Sequence, residues 1–147
     1  MSHVKSVVSG FMENVRSGNS PRSAAVYMAN EVVAHQIISG NESEIIRTPS
    51  QYAEHIEEFL TCFGEFQLHL EEMLVDNDKV YVRWRQVGVH KSPIWDFQAT
   101  NLPLVTFGSA VYRVAEGKIC EYWIQQENQG LLTQLKSNAE TWQNISL

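Results

Sequence analysis

The chain is poor in the features that mark a specialised class. It has two cysteines, Cys62 and Cys120, far apart and in no CxxC pair. Neither a disulfide framework nor a zinc site follows, and two buried free thiols are the simplest reading. It is also short of positive charge: eleven Lys and Arg stand against seventeen Asp and Glu, a net charge of −6. That balance argues against an electrostatic grip on nucleic acid or on an anionic membrane, because phosphate binding needs clustered Lys and Arg. No apolar run approaches the roughly 20 residues of a membrane-spanning helix. Met1 to Val15 reads as an amphipathic helix broken by Lys5, Ser9 and Glu13 rather than as the apolar core of a leader. A cytoplasmic protein is expected. The sequons Asn41-Glu42-Ser43 and Asn144-Ile145-Ser146 carry no weight without a secretion signal.

The strong catalytic motifs are missing as well. There is no GxxxxGK[ST] or GxGxxG to cradle phosphate, no HExxH and no GxSxG. No metal and no cofactor is implied. What remains is an ordinary globular composition, 44% apolar and 19% charged over 147 residues. A single domain of that size buries about 70% of its unfolded surface, enough for a core without staples. The reading is one domain over 1–147, with its core at about 4–136 and a tail at 137–147.

Val4, Val7, Val8, Phe11, Met12 and Val15 recur at helical spacing, and Gly18-Asn19 ends that helix. Ser20-Pro21 opens a short second helix, with Ser as N-cap. Val32 to Ile38 is β-rich and is closed by Gly40-Asn41. A third helix starts near Thr48-Pro49-Ser50, buries Tyr52, Ile56, Phe59, Leu60 and Phe63, and stops at Gly64.

The period then changes to two. Phe66, Leu68 and Leu70 alternate with Gln67, His69 and Glu71. Asn77-Asp78 turns the chain into Lys79 to Gly88, where Val80, Val82 and Trp84 alternate with Tyr81, Arg83 and Arg85. After a loop with Pro93, Trp95, Asp96 and Pro103, Val105 to Val114 and Lys118 to Gln126 form a hairpin around Ala115-Glu116-Gly117. Gln129 to Lys136 makes a last short helix. Helices followed by a run of strands predict an α+β fold. A twisted antiparallel sheet then curves around the N-terminal helices into a cone with an internal pocket.

Of the five histidines, His3, His55 and His69 fall on polar stretches and read as surface residues. His35 and His90 each close an apolar β-run. His90 shares the parity of Val80, Val82 and Trp84, which points it to the apolar face. Val33 and Ile37 share the parity of His35 while Val32 and Ile38 do not, so its face stays open. Each is either a hydrogen-bonded core histidine or a proton donor at a pocket mouth. Tyr27, Trp84, Tyr112 and Tyr122 are core packing or the flat walls and phenols of a pocket for a small hydrophobic ligand. Trp142 lies in the tail.

The segment Val114-Ala115-Glu116-Gly117-Lys118-Ile119-Cys120-Glu121-Tyr122-Trp123, followed by Gly130-Leu131-Leu132-Thr133-Gln134-Leu135, resembles the SnoaL-like polyketide cyclases of the nuclear transport factor-like superfamily. Val33-Ala34-His35 and Gly88-Val89-His90 fit the same pattern, which spans about residues 4–136. The resemblance implies a cone fold and an aldol-cyclase ancestry. Its aspartate base falls on Ile124, its histidine and glutamine on Ala110 and Gly108, and its early asparagine on Ala34, beside His35. An isoleucine accepts no proton, so the family's mechanism has lost its main parts.

Glu127 restores a carboxylate only through a bulge, having the opposite strand parity to Ile124. Candidate catalytic groups are therefore His35, His90 and Glu127, with Tyr27, Trp84, Tyr112, Tyr122 and Ile124 toward the substrate. A cyclase, isomerase or dehydratase stands beside a catalytically silent binding or regulatory module, and beside a structural dimerisation domain. The superfamily's habit also implies a homodimer through the outer sheet face, where parity places Tyr81, Phe107, Val111 and Trp123.

Overall fold

The structure, a computed structural model, describes residues 2–38 and 41–146. Helix α1 (Ser2–Phe11) buries Val7, Val8 and Phe11 and runs into one wide π-helical turn, Met12–Arg16. There Ser17 N–H donates to the Met12 carbonyl at 3.0 Å, five residues back. A 3-10 turn (Pro21–Ser23) and helix α2 (Ala24–Tyr27) follow. Ser20 does not cap this segment through its side chain; its carbonyl instead accepts from Ser23 Oγ at 2.7 Å.

Strand β1 (Met28–Ile38) is longer than the β-rich run Val32 to Ile38, and Gly40 lies outside the described residues. Asn41 does not close it but begins a strand that was not expected, β2 (Asn41–Arg47). Helix α3 (Pro49–Phe63) starts where the Thr48-Pro49 signal puts it. Thr48 and Gln51 exchange side-chain bonds with each other's backbone N–H at 3.1 and 2.9 Å, a capping box. Gly64, with φ of 67°, ends the helix.

Strands β3 (Gln67–Asp76), β4 (Lys79–Val89), β5 (Pro103–Ala115) and β6 (Lys118–Gln126) complete the sheet, and α4 (Asn128–Ser146) closes the chain. The last helix thus runs on through most of the expected tail. Its middle is tied to the sheet by Gln134, whose side chain bonds both the N–H and the carbonyl of Val105.

The sheet order is β2-β1-β6-β5-β4-β3. It is curved and unclosed, α+β as expected, but mixed: β1 and β6 pair parallel, with His35 opposite Trp123, and the other neighbours pair antiparallel. Inner-face positions follow from register and burial together. Val32 and Ala34 of β1, Val80, Val82, Trp84 and Gln86 of β4, Ala110, Tyr112 and Val114 of β5, and Ile119 and Tyr122 of β6 are buried. Most of them pack on Val8, Phe11, Met12 and Val15 of the N-terminal helix and on Tyr52 and Ile56 of α3. Bulges at Glu71 in β3 and at Cys120 in β6 each reset the alternation, so that Ile119 and Tyr122, three residues apart, both face inward. Both cysteines are free, and both are half-buried rather than fully buried. No described helix is long and apolar enough to cross a membrane.

Candidate binding pocket

A cavity of about 440 Å³ opens between α3, β4, β5, the 90–102 loop and the start of α4. Drug-sized ligands occupy cavities of about 300–1,000 Å³. Phe59 and Phe63 of α3, Trp84 of β4, Ile94 and Trp95 of the loop and Leu131 of α4 give it apolar walls. Its polar lining includes Arg16, Gln86, Glu58, Cys62, Gln126 and Glu127.

Arg16 is the unexpected member. It is 3% exposed, and its Nη1 donates to Gln86 Oε1 at 2.9 Å. The guanidinium carbon stands 4.8 Å from the ring centre of Phe59, 5.2 Å from Trp84 and 5.9 Å from Phe66. Burial pulls the Arg16 pKa down, opposed by Tyr52 and then Tyr112. The side chain nevertheless remains a cation, since guanidinium does not deprotonate in proteins. The signal for it was present in the sequence: Arg16 lies four positions after Met12 and eight after Val8, on the apolar stripe. Gln86 likewise has the parity of Val80, Val82 and Trp84.

In the core, the rings of Tyr52 and Tyr112 both pack on that of Tyr122, with centroids 6.2 and 5.7 Å from it. Burial raises all three phenol pKa values. His55 corrects the surface reading: it is half-buried on α3, its ring 4.5 Å from that of Phe59. Burial lowers its pKa to about 4, with Arg47 and then Arg16 adding to the effect, so it is neutral at pH 7.

The sequence candidates divide sharply. Trp84 lines the cavity. Tyr112 and Tyr122 are buried in the core beside it, and Ile124 is on the inner face opposite Ala110, half-buried against the same core. Tyr27 packs behind α1, where its hydroxyl accepts from Asn14 Nδ2 at 2.7 Å and its ring covers Gly10. Glu127 reaches the rim, and its Oε2 caps α4 by accepting from Gly130 N–H at 2.6 Å.

The two candidate histidines do not meet at the cavity. His35 lies on the outer face, stacked on Trp123 at 4.9 Å and bonded through Nε2 to Glu121 Oε2 at 2.7 Å. Register explains it: Val32 and Ala34 take the inner face, so the residue between Ala34 and Gln36 cannot. His90 is buried, as its parity requires, but under the 90–102 loop, with its Nδ1 3.5 Å from Thr100 Oγ1. Desolvation lowers its pKa, opposed by the backbone of Ser92 and Phe97. Among the described residues, no cluster of three or more His, Cys, Asp or Glu is placed to hold a metal ion.

A curved, unclosed mixed sheet wrapped around helices, with an aromatic-walled cavity, defines the class: an α+β fold of the nuclear transport factor type. The chain belongs to the SnoaL-like polyketide cyclase family, whose model matches residues 6–135. Among solved structures it is similar to a proposed polyketide cyclase of Acidithiobacillus ferrooxidans, at 20% identity and a TM-score of 0.78, covering 92% of this chain and 96% of that one. It is similar also to AclR of Streptomyces galilaeus, a proposed hydroxylase, at 18% identity and a TM-score of 0.77, over 92% and 86%. IdmH of Streptomyces antibioticus, a proposed polyketide cyclase, gives 18% identity and a TM-score of 0.75, over 90% and 98%. These likenesses speak to fold. No curated protein matches the chain.

Proposed function

We propose that the chain takes a small, flat, hydrophobic cyclic molecule into this cavity and acts on it as a cyclase, isomerase or dehydratase. One observation carries the reading: a cavity of about 440 Å³ walled by Phe59 and Trp84, with Arg16, Gln86 and Gln126 lining it. Such a site holds a ring by its faces and orients it by a few polar contacts. The mechanism departs from an aldol closure driven by a strand aspartate, because the position matched to that aspartate through the Gly117-Lys118-Ile119 resemblance is Ile124. Glu127 is the carboxylate we assign as base. Its Oε2 is fixed by Gly130 N–H, and its second oxygen is left to take a proton from an enolisable carbon.

A catalytically silent binding module is the second reading, favoured by the absence of His35 and His90 from the cavity lining. Deuterium exchange at the α-carbon of 2-tetralone, followed by NMR in D2O, separates the two. The enzyme reading expects exchange above the buffer rate, reduced at least tenfold in Glu127→Gln. Binding of 2-tetralone with no acceleration leaves only the second.

We infer in addition a cytoplasmic homodimer. The free thiols Cys62 and Cys120 fit a reducing compartment. The outer sheet face offers Tyr81, Val111 and Trp123, with Phe107, 47% exposed, at its edge. Sedimentation at the monomer mass of 16.8 kDa at micromolar concentration would refute the dimer.

A further inference from the structure

We infer that the ligand of this cavity carries an anionic oxygen conjugated to its ring, a carboxylate or an enolate, and that Arg16 is its partner. The inference rests on the pocket reading above and adds the chemical class of the ligand. A side chain as buried as Arg16 is ordinarily paired, because an uncompensated charge out of water is costly. Arg16 is not paired with an acid. Its hydrogen-bond acceptor is the neutral amide of Gln86, and among the described residues no carboxylate stands within 4.0 Å.

The chain has a surplus of acids, seventeen against eleven basic residues, yet none among the described residues forms an ion pair with this cation. Glu58 and Glu127 line the same cavity without forming an ion pair to it. The faces of Phe59, Trp84 and Phe66 offset part of the desolvation, but they fill none of its hydrogen-bonding capacity. A guanidinium has five N–H donors, and the described residues supply one acceptor, Gln86 Oε1. The rest belong to a cation in the wall of an open cavity.

The geometry of the surroundings narrows the ligand further. Gln86 anchors one edge of the fork, and the rings of Phe59 and Trp84 lie close on the guanidinium, so a planar anion is matched in both charge and shape. In an enzyme, the same cation would hold the oxygen on which charge develops when an enolate forms. In a silent module, it would give selectivity for acids.

The test compares matched pairs on the intact chain: 2-naphthoate against 2-naphthamide, and the anion of 1,3-indandione against 1-indanone, at pH 8.5. Binding is read by calorimetry, and location by protection of Cys62, which lines the cavity, from a thiol reagent. At least one anion is expected to bind tenfold or more tighter than its neutral twin, and the pair that discriminates tells carboxylate from enolate. Arg16→Met removes that preference while the neutral twin still binds. Gln86→Glu gives Arg16 an internal acid and is expected to abolish the preference with the fold intact by circular dichroism. Equal binding and equal Cys62 protection by anion and neutral twin overturn the inference but leave the pocket reading standing. If no probe protects Cys62 at millimolar concentration, both fall.

Discussion

His35 Nε2 and Glu121 Oε2 stand 2.7 Å apart on the outer face of the sheet, joining β1 to β6 across their parallel pairing. The other oxygen of Glu121 accepts from Arg113 Nε at 2.9 Å, so one carboxylate ties three strands. These bonds hold the Glu121 carboxyl below the usual value, the His35 bond most of all, against a smaller rise from desolvation. A depressed folded-state pKa contributes stability that is complete above the unfolded value of about 4.3 and is lost as pH falls through the folded one. Glu121→Gln is therefore expected to lower Tm at pH 7 and to match the wild type at the acid end. Melting curves from pH 7 to pH 2 check this; parallel curves at every pH would contradict it.

His55 titrates the other way round in charge, with the same slope in stability. Its folded pKa of about 4 lies below the unfolded value of about 6.5. Between those values the unfolded chain takes up a proton that the folded chain refuses, so the wild type loses stability as pH drops through that window. His55→Gln removes the titration and flattens the curve between pH 6.5 and 4. The ring protons of His55 in NMR should shift near pH 4, and a midpoint near 6.5 would dismiss the buried, doubly cation-flanked setting.

Trp84 owes its place to Gly108, its cross-strand partner on β5. A Cβ at Gly108 would stand 2.7 Å from Trp84 Cζ2, closer than carbon atoms approach without displacement. Gly108→Ala is expected to cost about 1–3 kcal/mol by overpacking. Urea denaturation gives the stability change. Loss of ligand affinity should accompany it, since the indole is a cavity wall.

Removing the Thr48 hydroxyl takes one acceptor from the first turn of α3. Thr48→Ala should cost about 1 kcal/mol, and Thr48→Ser should be close to neutral. Equal losses in both variants would mean that packing rather than the hydroxyl matters there.

The parts of the molecule that could be read from sequence are those whose periodicity reports a buried face. Val80, Val82 and Trp84 are inward as their alternation says, and the Thr48-Pro49 signal starts α3 where it should. Strand β2 escaped because it is an edge. Residues 43–46 of this strand are exposed, Ile45 and Ile46 included, so no one-sided pattern marks it. His35 could not be assigned a face because its flanks are apolar on both parities. Only pairing with β6, which puts Ala34 opposite Tyr122, decides between them.

The cavity itself was harder to foresee. Arg16 is charged, and reading the first helix as an apolar stripe ending at Val15 left it out. A buried cation stabilised by three rings drawn from α3, the β3 approach and β4 depends on contacts that no local window contains. His55 was misplaced for the converse reason. Its neighbours Glu54 and Glu58 are exposed, but α3 turns it toward Phe59 and Arg47.

The wide turn at Met12–Arg16 has a consequence for how this site can arise or vanish. A π-helical turn holds one residue more than the α-helix around it. Deleting a single residue there would let ordinary α-helical winding resume while the chain on either side keeps nearly its present facing, because the wide turn already takes up the extra residue. A deletion within α1, where no wide turn absorbs it, would instead rotate the residues before it by about 100° relative to Arg16. The placing of this guanidinium against Phe59 and Trp84 thus depends on where residues are counted as much as on an arginine.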